Sequence, residues 1–147
     1  MISDFADPKD LVKNVESARV ISKELNMKIN IRPHINEDGI KHPEYLIYEK
    51  LADLKNIQGL GGIKNGLDSS RKQQCEFTVF NLDAFESIKP EMVQNKLNGI
   101  YKLYGDKFSG QQMIFIYSGK AVKVSWKDVK TGKVTEHYFV DCHNIEY

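Results

Sequence analysis

The apolar positions of this chain change period several times, and each change marks an element. Leu11, Val15, Ala18, Ile21 and Leu25 recur every three to four residues, the spacing that gathers side chains on one face of a helix. Asp7-Pro8 stands just ahead of them, an acceptor for the N-cap followed by a proline whose fixed φ suits the first helical position. In MKINIR the period drops to two, with Met27, Ile29 and Ile31 alternating with Lys28, Asn30 and Arg32, which predicts a strand with one wet face. NEDGIKHP, residues 36–43, is a loop by its Asn, Asp, Gly and Pro content. YLIYEKLADLK predicts two short strands about a tight turn at Glu49-Lys50. Gly59 to Gly62 opens a second helix with Ile63, Leu67 and Gln74 on one edge and Lys64, Arg71 and Lys72 beside it. EFTVFNL is apolar on both faces, as a central strand must be. Ser87 is placed to cap a third helix, with Pro90 early and Val93, Leu97, Ile100 and Tyr104 as its stripe.

The last third changes character. QMIFIY, AVKVSW and VTEHYFV, separated by Ser118-Gly119-Lys120 and Lys130-Thr131-Gly132-Lys133, predict an antiparallel three-stranded meander. The order is therefore helix, three strands, helix, strand, helix and three strands. That is an α+β chain with a mixed sheet, and 147 residues with 41% hydrophobic content suit one domain spanning 1–147 around one core.

Charge excludes more than it suggests. Lys and Arg number 21 against 20 Asp and Glu, a formal charge of +1, so no global field draws this chain to nucleic acid or membrane and any such surface must be a local patch. Cys75 and Cys142 stand far apart, outside any metal-ligand spacing. Neither a disulfide scaffold nor a zinc site is indicated, which points to a reducing compartment. No apolar run reaches the roughly 18 residues of a spanning helix. MISDFADPKD lacks the basic start and apolar segment of a secretory signal, so a soluble chain without signal peptide or membrane partner is expected.

The candidate chemistry lies in HPEYLIYEKLADLK, residues 42–55. With a turn at Glu49-Lys50, Tyr48 pairs with Leu51, Leu46 with Asp53 and Glu44 with Lys55. Glu44, Asp53 and Lys55 then share a face within about 5 to 8 Å of one another. Such a set suits phosphodiester hydrolysis: Glu44 and Asp53 would hold Mg²⁺ through hard oxygen ligands, and the ion would polarise the phosphoryl group and activate water. Lys55 would orient that water or offset developing negative charge. The plainer alternative is a surface hairpin with a Glu44–Lys55 ion pair worth under about 1 kcal/mol.

In this order of elements, Pro43-Glu44 and Asp53-Leu54-Lys55 resemble the PD-(D/E)xK nuclease core, with Gln73 or Gln74 matching the helical glutamine of several members. The segment IRPHI…GIKHPEYLIYEKLADLKNIQGLGGIKNGLDSSRKQQCEFTVFNL, within residues 17–125, is similar to the C-terminal nuclease domains of polymorphic bacterial toxins, including tRNase domains of contact-dependent growth inhibition proteins and relatives on phage head proteins. It matches their pattern at His34, Pro43, Tyr45, Leu46, Ile47, Lys50, Asp53, Lys55 and Gln74. It departs with His42 for Asn, Glu44 for Asp, and Tyr48-Glu49 for Asn-Gly. The resemblance implies RNA cleavage, with tRNA as one such substrate, a neutralising immunity protein, and action in the bacterial cytoplasm of a producer or target cell. Related toxins of the barnase/EndoU/colicin/RelE fold cut RNA without metal; there the 2′-hydroxyl attacks, and His34 or His137 with Lys55 would serve as acid/base and cation.

Asp53 and Lys55 are thus the central candidates, with Glu44 and His34 beside them; Glu44 and Asp53 would be the metal ligands if metal takes part. Lys64, Arg71, Lys72 and Gln74 form a polar, mostly basic edge for phosphates, and a charged helix face in solvent accounts for them equally. Tyr101, Tyr104, Tyr117 and Trp126 could stack on bases, or fill the core. A metal-dependent DNA nuclease of the PD-(D/E)xK kind and a non-catalytic binding or immunity protein remain the alternative functions.

Overall fold

The computed structural model describes residues 8–31 and 45–134, with side chains from Asn14 onward. The helical stripe read from the first segment forms α1 (Pro8–Leu25), and Ala18 and Ile21 are buried along it. Three strands follow, β1 (Ile29–Ile31), β2 (Tyr45–Ile47) and β3 (Lys50–Asn56). Then come α2 (Gly61–Lys72), β4 (Phe77–Asn81), α3 (Pro90–Tyr104), a 3₁₀ turn η1 (Gly105–Phe108), β5 (Gln112–Tyr117), β6 (Lys120–Val124) and α4 (Trp126–Lys130). The strands make one six-stranded sheet in sequence order, antiparallel over β1-β2-β3, parallel over β3-β4-β5 and antiparallel again at β5-β6. The fold is the expected mixed-sheet α+β class.

Two cores lie on the two faces. Beneath α1, Tyr45, Ile47, Ala52, Val79, Ile114 and Ile116 form one. On the other face Phe80, Met113 and Phe115 share a cluster with Ile63 and Leu67 of α2, Leu97 of α3 and Trp126 of α4. β4 is buried at four successive positions, Phe77 to Phe80, because helices cover both of its faces.

Three local expectations need correction. The hairpin turn sits one residue earlier than expected: Ile47 pairs with Lys50, Leu46 with Leu51 and Tyr45 with Ala52, while Tyr48 and Glu49 carry φ of 48° and 66°. β2 is gripped on both sides, since Ile47 also pairs with Ile29 and the Tyr48 N–H donates to the Lys28 carbonyl at 3.1 Å. Those ladders hold two left-handed non-glycine residues that propensity disfavours. Leu46 thereby faces Leu51 and not Asp53, but each pairing moves by two positions, so Asp53 and Lys55 keep their face. At α3 the cap is Lys89, extended at φ −106° and ψ 143°, because the residue before a proline is driven out of the helical region; Ser87 is not the cap. AVKVSW ends as a strand at Val124, and Ser125 starts α4 with a capping box to Asp128. The first two strands of the meander form as the β5-β6 hairpin, and of its third, VTEHYFV at 134–140, only Val134 lies within the described residues.

Candidate functional site beneath helix α2

Asp53 occupies the middle of β3, one strand in from β2 and directly beside Thr78 of β4. The pleat sends it towards α2, together with Lys55 two residues on. The Asp53 residue is 3% exposed, and its Oδ2 lies 2.8 Å from Lys55 Nζ. That contact is an ion pair lacking hydrogen-bond alignment, since Oδ2 is buried without a hydrogen-bond donor. The Lys55 ammonium is aimed from the other side by α2: it donates to Ser69 Oγ at 3.0 Å, and Gln73 Nε2 donates to the same oxygen at 3.3 Å. Lys55 keeps 24% of its side chain in contact with solvent.

Gly66 makes this approach possible. A Cβ there would lie 2.6 Å from Phe80 Cε1 and 3.0 Å from Lys55 Cγ, so only glycine lets α2 settle onto β3 and β4 while the lysine stem passes beneath it. Gly66, Ser69 and Gln73 recur at helical spacing on one face of α2. That pattern is the signal by which the sequence could have disclosed the lysine clamp, which the motif pattern alone does not contain.

Around the pair, Ser70 Oγ, Gln73 Oε1 and Thr78 Oγ1 are also buried without hydrogen bonds. An atom of this kind left without any partner costs about 1 to 3 kcal/mol. A cavity of about 490 Å³ runs along this flank of α2, lined by Asn65, Asp68, Ser69, Lys72 and Gln73.

The other expected site residues divide. Glu44 and His34, and also His137, lie outside the described residues. Lys64 is tied to Asp68 at 2.6 Å and sits 5.1 Å over the Tyr104 ring, with Lys107 adding a second cation 3.3 Å from Asp68. The hydrogen bond to Asp68 raises the Lys64 pKa above 10.5, and the same bond, with help from Lys107, lowers Asp68 below 3.8. Lys64 is thus part of a bracket from α2 to Tyr104. Arg71 and Lys72 are exposed, and Gln74 follows the helix in a left-handed conformation, φ 61°. Of the aromatic candidates, Trp126 is buried and stacked on Phe108 at 6.5 Å, Tyr101 lies 6.4 Å from Trp126, and Tyr104 meets Phe108 edge-on at 5.9 Å. Tyr117 donates to the Glu86 carbonyl at 3.0 Å. These rings pack against the protein itself.

For a divalent cation, the described residues supply one carboxylate, Asp53, whose Oδ2 already faces an ammonium. Among the described residues no three His, Cys, Asp or Glu side chains gather closely enough to hold a metal ion. That donor set does not make a Mg²⁺ site by itself.

No protein-family model matches the chain, and no curated protein matches it. Its fold is similar to that of a chain in the CdiA-CT/CdiI toxin and immunity complex from Burkholderia pseudomallei, with a TM-score of 0.58 at 16% identity over 85% of this chain and 93% of that one. Among the described residues no helix is long and apolar enough to cross a membrane.

Proposed function

We propose that this chain is a toxin-type nuclease that cleaves RNA phosphodiester bonds, tRNA included, at the Asp53–Lys55 pair. The observation that carries the proposal is the clamp on Lys55: an amine between a buried carboxylate at 2.8 Å and the Ser69 hydroxyl at 3.0 Å, with part of its side chain left open to solvent. An aimed, partly dry cation is what a phosphate needs where charge builds up on its oxygens, and it acts more strongly there than in bulk water. Asp53 is the positioning residue, fixing the ammonium by charge. Glu44 and His34 are assigned the proton transfers, and Arg71, Lys72 and Gln74 contacts along the RNA. Similarity to a toxin and immunity complex supports both the toxin role and a neutralising protein partner.

Removing one such preorganised donor costs about 10²- to 10³-fold in rate, so Lys55→Ala should fall in that range on a purified RNA substrate, with Asp53→Ala close to it. Cleavage that continues in EDTA and leaves cyclic phosphates would identify attack by the 2′-hydroxyl. Loss of cleavage with EDTA, and 5′-phosphate products without it, would bring in a cation completed by Glu44. The same complex also contains an immunity protein, and an acid at 3% exposure equally suits a chain that binds without catalysis. Induced expression in a bacterial host separates the two: a toxin slows growth and its Asp53→Ala variant does not, whereas equal harmless growth of both would support the binding protein.

A further inference from the structure

The Ser69 hydroxyl has an oxygen that is fully engaged and a proton that is not. Lys55 Nζ donates to Oγ at 3.0 Å and Gln73 Nε2 donates to it at 3.3 Å, which fills both lone pairs of a serine oxygen. Donation is the only capacity left to that side chain. Thr131 sends its own hydroxyl proton to the Lys127 carbonyl four residues back, at 2.9 Å, whereas no described residue accepts the proton of Ser69. The bond received from an ammonium also polarises Oγ and makes its O–H a stronger donor than that of an ordinary serine. Ser69 is half-buried and lines the cavity of about 490 Å³ along α2, with Asn65, Asp68, Lys72 and Gln73. These residues recur at helical spacing and so form one stripe. The stripe favours an anion. Asp68, the acid on this wall, has Oδ2 on Lys64 at 2.6 Å and Oδ1 on Lys107 at 3.3 Å, so its charge is offset. Lys72 is exposed and has no ion pair among the described residues. The lining groups left to meet a ligand are the Ser69 O–H, the Lys72 ammonium and the Asn65 amide, with the Lys55 ammonium 3.0 Å from Oγ.

We infer that Ser69 donates its hydroxyl proton to a non-bridging oxygen of a phosphodiester lying in this cavity, as a second donor beside Lys55, with Lys72 supplying a charge to the same anion. The inference rests on the nuclease proposal for its choice of RNA as the polymer. It makes Ser69 a catalytic residue, because its proton meets the oxygen on which charge builds up as the bond breaks. A serine that only held the Lys55 ammonium in place would be a positioning residue, and the two roles are separable by experiment.

The test is fluorescence anisotropy with a labelled 2′-O-methyl RNA pentamer in EDTA, a probe that neither 2′-hydroxyl attack nor metal-dependent hydrolysis consumes. We expect Ser69→Ala to weaken binding about tenfold, the loss of one hydrogen bond to a charged acceptor. The slope of log affinity against log salt should not change, since no charge is removed. Ser69→Cys keeps the size of the side chain but offers only a weak donor, so it should weaken binding likewise. Lys72→Ala should lower that slope by about 0.7, the signature of one lost phosphate contact on a single strand. Stereopure phosphorothioate pentamers, all Rp or all Sp, separate contact from positioning, because sulfur accepts a hydrogen bond poorly. The unsubstituted chain should bind one isomer severalfold more weakly than the other, and Ser69→Ala should bind both alike. Circular dichroism confirms that each variant is folded, and the isomer preference of the unsubstituted chain requires no variant at all. Absence of that preference, its survival in Ser69→Ala, unchanged affinity in Ser69→Ala, or no binding of the pentamer overturns the inference. Should binding follow these expectations while unmodified RNA stays intact, the nuclease proposal fails and the phosphate contact stands. RNA cleaved by Ser69→Ala as fast as by the original chain removes Ser69 from the chemistry and leaves the nuclease proposal in place.

Discussion

Lys55 and Asp53 contribute unequally to stability, and the inequality is measurable. Removing the amine alone strands a carboxylate at 3% exposure, whereas replacing both residues with apolar ones removes the mismatch. We expect Lys55→Met to cost about 1 to 3 kcal/mol in urea denaturation, and the double variant Asp53→Leu, Lys55→Met to return within about 1 kcal/mol of the starting protein or exceed it. Both should be inactive on RNA. A double variant no more stable than the single one would mean that the pair serves the fold. At this scale the sequence was legible where residues lie two apart on a strand: acid-x-Lys can only share a face. It was less legible where the partner came from a helix 14 residues away, as Ser69 does, because the spacing of Gly66, Ser69 and Gln73 marks one face of a helix without naming the strand residue that face will meet.

Elements follow the same division between pattern and context. α1, α2, β4 and α3 were readable because their apolar periods are sustained: Ala18 and Ile21, Ile63 and Leu67, Phe77 to Phe80, and Val93, Leu97 and Ile100 are buried, while Gln74 falls beyond the end of α2 and Tyr104 stays exposed. The β2-β3 turn was misplaced by one residue because its φ values of 48° and 66° fall on Tyr48 and Glu49, which propensity places elsewhere. Substituting Asn-Gly at 48–49 should therefore stabilise the fold by about 1 kcal/mol and raise Tm, since both residues tolerate φ > 0 and the flanking ladder is already formed; an unchanged or lower Tm would show that Tyr48 contributes more through packing than its backbone costs. α4 hid inside an alternating stretch, although Ser125 and Asp128 carry the S-x-x-D spacing of a capping box. Ser125→Ala should lose about 1 kcal/mol by chemical denaturation. Gly66→Ala tests the seating of α2 on β3: the added methyl meets Phe80 and Lys55, so both melting temperature and RNA cleavage should drop, the latter through a displaced ammonium.

Across the whole molecule, α2 is joined to the end of α3 and to η1 by Lys64, Asp68 and Lys107 around the Tyr104 ring. The Asp68 carboxyl is held below 3.8 chiefly by its hydrogen bond with Lys64. Its contribution is present above 3.8 and fades as pH falls through the lower folded value. Lys64 is raised above 10.5, so its contribution is complete below 10.5 and fades as pH climbs through the higher folded value. We expect Asp68→Asn to be less stable than the original chain across the neutral range, the gap closing below pH 3.8 in thermal melts at matched ionic strength. A gap independent of pH would remove the ionic bracket as its cause.

The first helix packs on both β1 and β6, the opposite margins of the sheet, and β6 lies at Lys120–Val124, far along the chain from Pro8–Leu25. A chain emerging from a ribosome or threading through a pore amino end first cannot complete this layer until the β5-β6 hairpin has arrived. Assembly is thereby tied to emergence of the polypeptide through Val124, and such distant pairing is slow to form. Any activity that depends on the complete sheet therefore appears only once that last margin has formed.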